Sequence, residues 1–144
     1  MVAYLDSSVV LQHILKGDGG ISHALSCDRI ISSELLEIEC RRVLHRYRLQ
    51  GKLNDTGFIR AVERLEKVLN GMSLILLSPR VKKRAGQSLP LIVRTLDALH
   101  LSSANIYREE NSDQTILFFT YDNQLNRCAQ VLEYTVPFST AIPE

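Results

Sequence analysis

Two aspartates follow apolar segments that have the character of buried strands. Asp6 comes directly after Val2-Ala3-Tyr4-Leu5, and Asp122 closely follows Ile116-Leu117-Phe118-Phe119. An aspartate at a strand–helix junction is often only an N-cap, because its carboxylate accepts hydrogen bonds from free backbone N–H groups. Capping therefore explains either residue taken singly. Acids at the carboxyl ends of strands also lie where open α/β sheets bind their ligands.

A third acid lies on a predicted helix. Glu39 borders the apolar stripe of a helix predicted over residues 34–49. An acid that faces a sheet needs a partner or a metal ion, and Arg42 at i+3 is one alternative partner. Glu37 differs, because Arg41 at i+4 provides it with a solvent-exposed ion pair.

Asp97 lies in the first turn of a helix predicted over residues 95–107, where the helix dipole favours a carboxylate. Capping and dipole effects explain four separate acids less well if all four meet at one end of a sheet. Clustered carboxylates repel one another unless a cation screens them. An all-oxygen set suits Mg²⁺ or Mn²⁺ rather than zinc. The candidate set comprises Asp6, Glu39, Asp97 and Asp122.

Basic residues cluster in two segments that contain no acid, residues 40–52 and residues 79–94. The first segment includes the candidate RNA-binding residues Arg41, Arg42 and Arg46. Local basic stripes can supply phosphate contacts beside an acidic site, although a basic helix face is more often solvated surface. Overall charge indicates no nucleic-acid partner, because 17 Lys and Arg against 16 Asp and Glu give a net charge of +1.

Length and composition predict one globular domain over residues 1–144 and exclude an intrinsically disordered or collagen-like chain. No apolar run is long enough for a transmembrane helix, and the N-terminus lacks the basic segment of a signal peptide. The three cysteines form no C-x-x-C pair, so neither a disulfide framework nor a zinc site is indicated. We therefore expect a cytoplasmic protein with no membrane association.

Short apolar segments alternate with segments of helical periodicity along the chain. Strands are predicted at residues 2–5, 29–31, 74–77 and 116–119, and residues 134–136 could add a last one. Helices are predicted from the end of the first strand to Lys16, over 34–49 after a Ser32-Ser33 cap, over 56–69, from Ser78-Pro79, over 95–107, and after Asp122. Strands separated by helices favour right-handed crossovers and a parallel sheet. Since the strands are nearly all apolar, the sheet is expected to be covered on both faces. The predicted fold class is α/β, a three-layer α/β/α domain with a central, mainly parallel sheet.

The chain resembles PIN-domain ribonucleases, and in particular the VapC-like toxins of VapBC-type toxin–antitoxin pairs. The resemblance extends over nearly the whole chain. It rests on Tyr4-Leu5-Asp6-Ser7-Ser8, Ile38-Glu39 with Arg41-Arg42, Thr95-Leu96-Asp97-Ala98-Leu99-His100-Leu101, and Phe119-Thr120-Tyr121-Asp122. The third of these segments is the most specific.

The resemblance implies a three-layer PIN-like fold and metal-assisted hydrolysis of RNA phosphodiester bonds. It implies that four acids are catalytic and hold Mg²⁺ or Mn²⁺, namely Asp6, Glu39, Asp97 and Asp122. Ser7 and Thr120 match the small hydroxyl residues that support the metal site. Members of the family are usually homodimers and are held inactive by an antitoxin protein, a segment of which wraps the groove.

Three other interpretations remain open from sequence. The chain could be a PIN-like domain of RNA processing, which the absence of a neighbouring antitoxin gene would favour. A phospho-acceptor or nucleotide-binding module would require a Lys after the last strand or a Gly-rich phosphate loop, and neither is present. A non-catalytic RNA-binding domain would use the acids only as caps and would bind no metal.

Some residues carry no recognised motif. The four histidines have no metal-ligand spacing and are interpreted as structural or surface residues: His13, His23, His45 and His100. Residues 89–94 and the C-terminal residues 139–144 match no motif.

Overall fold

The computed structural model of this protein describes residues 1–17 and 19–138. The C-terminal residues 139–144, for which the sequence gives no interpretation, lie outside the described residues. The strands are β1 (Val2–Leu5), β2 (Arg29–Ser33), β3 (Ser73–Ile75) and β4 (Ile116–Phe119). The helices are α1 (Ser7–Lys16), α2 (Ile21–Leu25), α3 (Leu35–Leu49), α4 (Asp55–Asn70), α5 (Pro79–Ala85), α6 (Thr95–Glu110) and α7 (Asn123–Val131). Within the described residues, no helix is both long and apolar enough to cross a membrane.

The four strands form one parallel sheet in the order β3-β2-β1-β4. The consecutive strands β1, β2 and β3 lie side by side in that order, and β4 then pairs with the other side of β1. Such a reversal of strand order leaves a crevice at the carboxyl ends of the two strands that flank it. A hydrogen bond of 3.0 Å from Asp6 N to Phe119 O extends the β1–β4 pairing to this end of the sheet.

Helices cover both faces of the sheet, because successive residues of each strand point to opposite sides. On one face, Ala3 and Leu5 of β1 pack against the apolar residues of α1 to α4. On the other face, Val2 and Tyr4 pack against α6 and α7, and α5 packs on α6. The predicted three-layer α/β/α architecture is confirmed, and the sheet is entirely parallel.

The helix boundaries follow the local signals. Helix α1 ends at Lys16, because Gly17 adopts a left-handed conformation with φ 64°. Ser78 Oγ accepts a hydrogen bond of 3.2 Å from Val81 N, and Pro79 occupies the first position of α5 as predicted. Helix α2 was not predicted, because its five residues are too few to show a clear apolar period.

The third strand is shorter and more exposed than predicted. Residues 74–77 predict a buried strand, but β3 covers Ser73–Ile75 and Leu76 is exposed. Strand β3 lies at the edge of the sheet and pairs with one strand, β2. The predicted last strand at residues 134–136 is reduced to a single bridge between Thr135 and Leu117.

Ser32 and Ser33 belong to β2 instead of forming a separate cap before α3. Ser33 Oγ still accepts a hydrogen bond of 3.2 Å from Leu35 N, so this residue supports the start of α3 from the end of the strand. Ser32 Oγ donates to Leu5 O at 2.6 Å, which links β2 to the carboxyl end of β1. The Ser33 contact therefore links the start of α3 to the end of β2, and the Ser32 contact links β2 to the end of β1.

Candidate active site

Asp6 is a buried carboxylate that is held by hydroxyl groups. It directly follows β1 at the N-cap position of α1, but its side chain makes no capping hydrogen bond. Instead, Oδ2 accepts hydrogen bonds from Ser8 Oγ and Thr120 Oγ1, both at 2.8 Å. The other oxygen, Oδ1, lies 3.8 Å from Nε2 of His100. Capping therefore does not explain why an aspartate occupies this position.

Ser8 and Thr120 join the ends of β1 and β4 around Asp6. Each hydroxyl donates its one hydrogen to Asp6 and accepts a hydrogen bond from a backbone N–H. The backbone donors are Tyr121 N to Ser8 Oγ and Asp122 N to Thr120 Oγ1, both at 3.0 Å. These hydroxyls therefore hold Oδ2 of Asp6 from two sides while each is itself held by the backbone.

Glu39 extends from α3 towards the same crevice, and its side chain is 17% exposed. Its Oε1 forms a hydrogen bond of 2.5 Å with Nε2 of His100. Its Oε2 accepts a longer hydrogen bond of 3.5 Å from Ser7 Oγ, a residue predicted to support the site. The contacts of Glu39 are therefore with His100 and Ser7 rather than with Arg42, the alternative partner that the sequence suggested.

His100 connects Glu39 to the interior of the protein. Its ring is fully buried, and Nδ1 forms a hydrogen bond of 2.7 Å with the hydroxyl of Tyr4. Burial alone would lower the pKa of His100. The hydrogen bond with Glu39 and the charges of nearby carboxylates outweigh burial, so its pKa is raised above its ordinary value. A carboxylate accepts hydrogen bonds, so we assign Nε2 of His100 as the donor to Oε1 of Glu39.

Asp97 and Asp122 share one arginine. Arg94 Nε lies 3.3 Å from Asp97 Oδ2, and Arg94 Nη2 lies 3.3 Å from Asp122 Oδ2. Burial raises the pKa of Asp97, Arg94 opposes that rise, and the charges of Asp122 and Asp6 add to it, so the pKa stays above its ordinary value. Asp122 is also an N-cap, because its Oδ1 accepts a hydrogen bond of 2.8 Å from Leu125 N. The capping interpretation therefore accounts for one of the two Asp122 oxygens.

All four candidate acids line one open cleft of about 650 Å³ beside α3 and the start of α6. Arg42 and Arg46 line the same cleft. Arg41 does not, because its guanidinium pairs with Glu37 at 2.9 Å on another side of α3. Residues four positions apart share a helix face, which explains both groupings. The structure thus brings two of the three candidate RNA-binding arginines to the acids.

The second basic segment is partly neutralised by α6. Arg80 lies 3.0 Å from Glu109 and 2.8 Å from Glu110, and Arg84 lies 2.7 Å from Glu109. Residues 79–94 contain no acid of their own, but α6 supplies acids from the following part of the chain. The guanidinium groups of Arg80 and Arg84 are therefore already paired with acids.

The donor chemistry of the cleft fits a hard divalent cation. The four acids offer only oxygen atoms, which Mg²⁺ and Mn²⁺ prefer. The Arg94 guanidinium bridges Asp97 and Asp122, so positive charge already lies between two of them. Across residues 1–17 and 19–138, no group of three or more His, Cys, Asp or Glu side chains is already arranged around a common metal position. A bound cation would therefore have to draw carboxylates away from their present contacts.

Sequence reasoning missed three residues that contact the candidate acids. Ser8 lies in the first segment that carries the family resemblance, but within that segment the N-cap pattern points only to Asp6. His100 follows Asp97 by three positions and therefore lies on the same side of α6, which is a usable signal. Arg94 precedes Asp97 by three positions, just before the first residue of α6.

Comparison with known proteins agrees with this architecture. The sequence model of the PIN domain matches residues 3–131, so the chain belongs to the PIN-domain family. The fold is similar to a crystal structure of VapBC2 from Rickettsia felis bound to a DNA fragment from their promoter. That similarity has a TM-score of 0.65 and 16% sequence identity, and it covers 94% of this chain and 97% of the other. A search of curated protein sequences finds no significant match.

Proposed function

We propose that this protein is a divalent-cation-dependent ribonuclease and the toxin of a toxin–antitoxin pair. The observation that carries the proposal is the convergence of four carboxylates from separate segments on one cleft. PIN domains are generally nucleases, and this chain belongs to that family. The basic residues Arg42 and Arg46 on the wall of the cleft suit a polyanionic substrate.

Asp6, Glu39, Asp97 and Asp122 are the residues that would hold Mg²⁺ or Mn²⁺. Such a cation, when bound, would lower the pKa of a coordinated water molecule and neutralise charge on the phosphate during hydrolysis. The carboxylates bring the negative charge that attracts the cation into the cleft. Replacement of any one by its amide keeps the size of the side chain and removes that charge.

The surrounding residues have separate tasks in this proposal. Ser8 and Thr120 keep Asp6 in one orientation through their two hydrogen bonds to Oδ2. His100 and Ser7 hold the two oxygens of Glu39. A catalytic group must be held by its neighbours in a productive geometry before the substrate arrives.

Arg42 and Arg46 are proposed to bind backbone phosphates of the RNA. Both line the cleft and follow Glu39 on α3 at helical spacings of three and seven residues. Phosphate contacts of this kind orient the chain of the RNA but carry no base preference. We make no such assignment for Arg41, whose guanidinium contacts Glu37.

We further propose an antitoxin partner, and also a homodimeric state, which only the family resemblance supports. The cleft that holds the acids has apolar side chains on α3, and Ile38 among them is 60% exposed. A protein segment with apolar and basic side chains would be complementary to this combination. The similarity in fold to VapBC2 supports the proposal of such a partner.

RNA cleavage with Mg²⁺ or Mn²⁺, compared with cleavage in the presence of a chelator, tests the proposed activity. Asp6→Asn should abolish most of the cleavage, whereas Asp55→Asn should retain it, because Asp55 is exposed and pairs with Arg48 away from the cleft. Cleavage that is unaffected by both the chelator and Asp6→Asn would refute the proposed site.

Induced expression of the wild type and of Asp97→Asn in a bacterial host tests the role as a toxin. The wild type should arrest growth, the variant should not, and co-expression of a neighbouring small gene should restore growth. Metal-dependent cleavage in vitro without growth arrest would favour a PIN domain of RNA processing instead.

A further inference from the structure

Arg94 has an unusual place among the arginines of the cleft. Among the described residues, its guanidinium is the one that forms ion pairs with two of the candidate acids, Asp97 and Asp122. Arg42 and Arg46 line the same cleft, but neither takes part in an ion pair within the described residues. The position of Arg94, directly before α6, was not recognised as functional from the sequence.

The contacts of Arg94 with Asp97 and Asp122 are of a kind that another partner can replace. Both N–O distances are 3.3 Å, longer than the usual charge-assisted hydrogen bond of about 2.8 Å. The arginine side chain is 79% exposed, so water can replace either carboxylate at little cost. By contrast, the side chain of Asp97 is only 11% exposed and cannot leave the cleft as readily.

The charge of Arg94 cannot be removed by deprotonation, because a guanidinium stays protonated at any accessible pH. The pKa of Arg94 is raised further by its hydrogen bond to Asp97 and by the charges of the acids. A cation that binds between Asp97 and Asp122 therefore has to move the guanidinium rather than neutralise it. An arginine that moves to the rim of the cleft remains next to any phosphate bound there.

We propose that Arg94 is an intramolecular counter-ion for Asp97 and Asp122 which a divalent cation displaces, and that the displaced guanidinium then binds a phosphate of the RNA. This inference rests on the proposed metal-dependent ribonuclease activity. In the metal-free protein Arg94 reduces the repulsion between the two carboxylates. In the metal-bound protein the same side chain contributes to substrate binding.

Titration with Mn²⁺ in the absence of RNA, followed by calorimetry or by the electron paramagnetic resonance signal of free Mn²⁺, tests the first half of the inference. Arg94→Gln should bind Mn²⁺ more tightly than the wild type by about three- to tenfold, since the contacts of an exposed arginine with two carboxylates no longer have to be broken. Arg94→Lys should give an intermediate affinity, because an ammonium group does not bridge two carboxylates as a planar guanidinium does.

Arg46→Gln is the matched control, because it removes the same charge from the same cleft without breaking a contact to an acid. Its Mn²⁺ affinity should stay close to that of the wild type. If Arg94→Gln binds Mn²⁺ with wild-type affinity or more weakly, Arg94 does not compete with the cation and the inference is overturned.

The second half of the inference predicts that the same variant, Arg94→Gln, binds RNA more weakly than the wild type. At saturating Mn²⁺, Arg94→Gln should raise the KM for an RNA oligonucleotide several-fold, as removal of a phosphate-binding side chain does. An unchanged KM would overturn the phosphate role. A wild-type protein that binds no Mn²⁺ and cleaves no RNA would refute the proposed function itself. Normal wild-type behaviour with an unchanged Arg94→Gln would refute only the role of Arg94.

Discussion

The two pairs of candidate acids are held by different means. Asp6 and Glu39, which we call the fixed half, accept hydrogen bonds from side chains that are largely buried. Asp97 and Asp122, which we call the exchangeable half, face one exposed arginine, Arg94. Both halves line the same cleft, but a buried hydrogen-bond network resists rearrangement more than an exposed ion pair does.

This difference shows how a cluster of carboxylates can be stable when no cation is bound to it. Four converging negative charges destabilise a fold unless positive charge or hydrogen-bond donors compensate them. The fixed half is compensated by donors that stay in place. The exchangeable half is compensated by a full positive charge that can move. We therefore expect the fixed half to determine where a cation binds and the exchangeable half to close around it.

The largest effect should come from removing charge in the fixed half. Asp6→Asn and Glu39→Gln should each lower the rate of Mn²⁺-dependent RNA cleavage by about 10²–10³-fold, the usual cost of losing one preorganised electrostatic group. Glu37→Gln is the control for Glu39→Gln, because Glu37 pairs with Arg41 outside the cleft, and it should retain activity. Equal losses for Glu37→Gln and Glu39→Gln would mean that the fixed half has been assigned incorrectly.

The next effect concerns the histidine that positions Glu39. His100→Leu should weaken Mn²⁺ binding by about 10–100-fold, as loss of a hydrogen bond to a metal ligand usually does. His100→Gln should recover part of that affinity, because its amide N–H can donate to Glu39. Titration of Mn²⁺ measures both variants, and circular dichroism checks that each is folded. Equal Mn²⁺ affinities for the folded wild type and His100→Leu would contradict the preorganisation of Glu39.

A smaller effect is expected at the basic wall of the cleft. Replacement of Arg42 and Arg46 by Ala should flatten the slope of log K against log salt for single-stranded RNA by about 0.7 for each phosphate that the protein no longer neutralises. Arg41→Ala serves as the control, because that guanidinium is occupied by Glu37. Salt titrations of RNA binding test this prediction. A larger change of slope for Arg41→Ala than for Arg46→Ala would place the RNA on the other side of α3.

Local signals predicted most of the secondary structure and the class of fold. Apolar strands at Val2–Leu5 and Ile116–Phe119, the cap at Ser78 and the end of α1 at Lys16 each depend on residues close in sequence. The burial of β3 was predicted incorrectly, because an edge position depends on strand order. The same apolar run would be enclosed in the middle of a sheet.

The candidate acids were predictable for a related reason. Their positions after strands and in helix turns, together with the family resemblance, single them out by local features of the chain. Their contacts with distant segments were not predictable, because His100 lies 61 residues from Glu39 and Arg94 lies 28 residues from Asp122. Such contacts depend on how α3, α6 and β4 meet at one end of the sheet. The sequence therefore indicated which acids meet in the cleft but not how each of them is held.

The smallest predicted effect separates the two halves by stability alone. In the presence of a chelator, Asp6→Ala should lower the free energy of unfolding by about 1–3 kcal/mol, because two hydroxyls lose their acceptor and Thr120 is buried. Asp97→Ala should change it by less than about 1 kcal/mol, because Arg94 is exposed and water replaces the missing carboxylate. Loss of a favourable helix-dipole interaction at Asp97 is of similar size. Asp97→Ala also removes the cost of burying this carboxyl, the same burial that raises its pKa, and this gain opposes the loss of the helix-dipole interaction.

Urea unfolding of the two variants and the wild type, at one pH and without divalent cations, measures this difference directly. The truncations remove the same atoms from the same residue type, so the difference between them reports the surroundings of each carboxylate. A cost for Asp97→Ala as large as that for Asp6→Ala would show that Arg94 holds Asp97 as firmly as the hydroxyls hold Asp6. The exchangeable half would then be as rigid as the fixed half, and displacement of Arg94 by a cation would be correspondingly unfavourable.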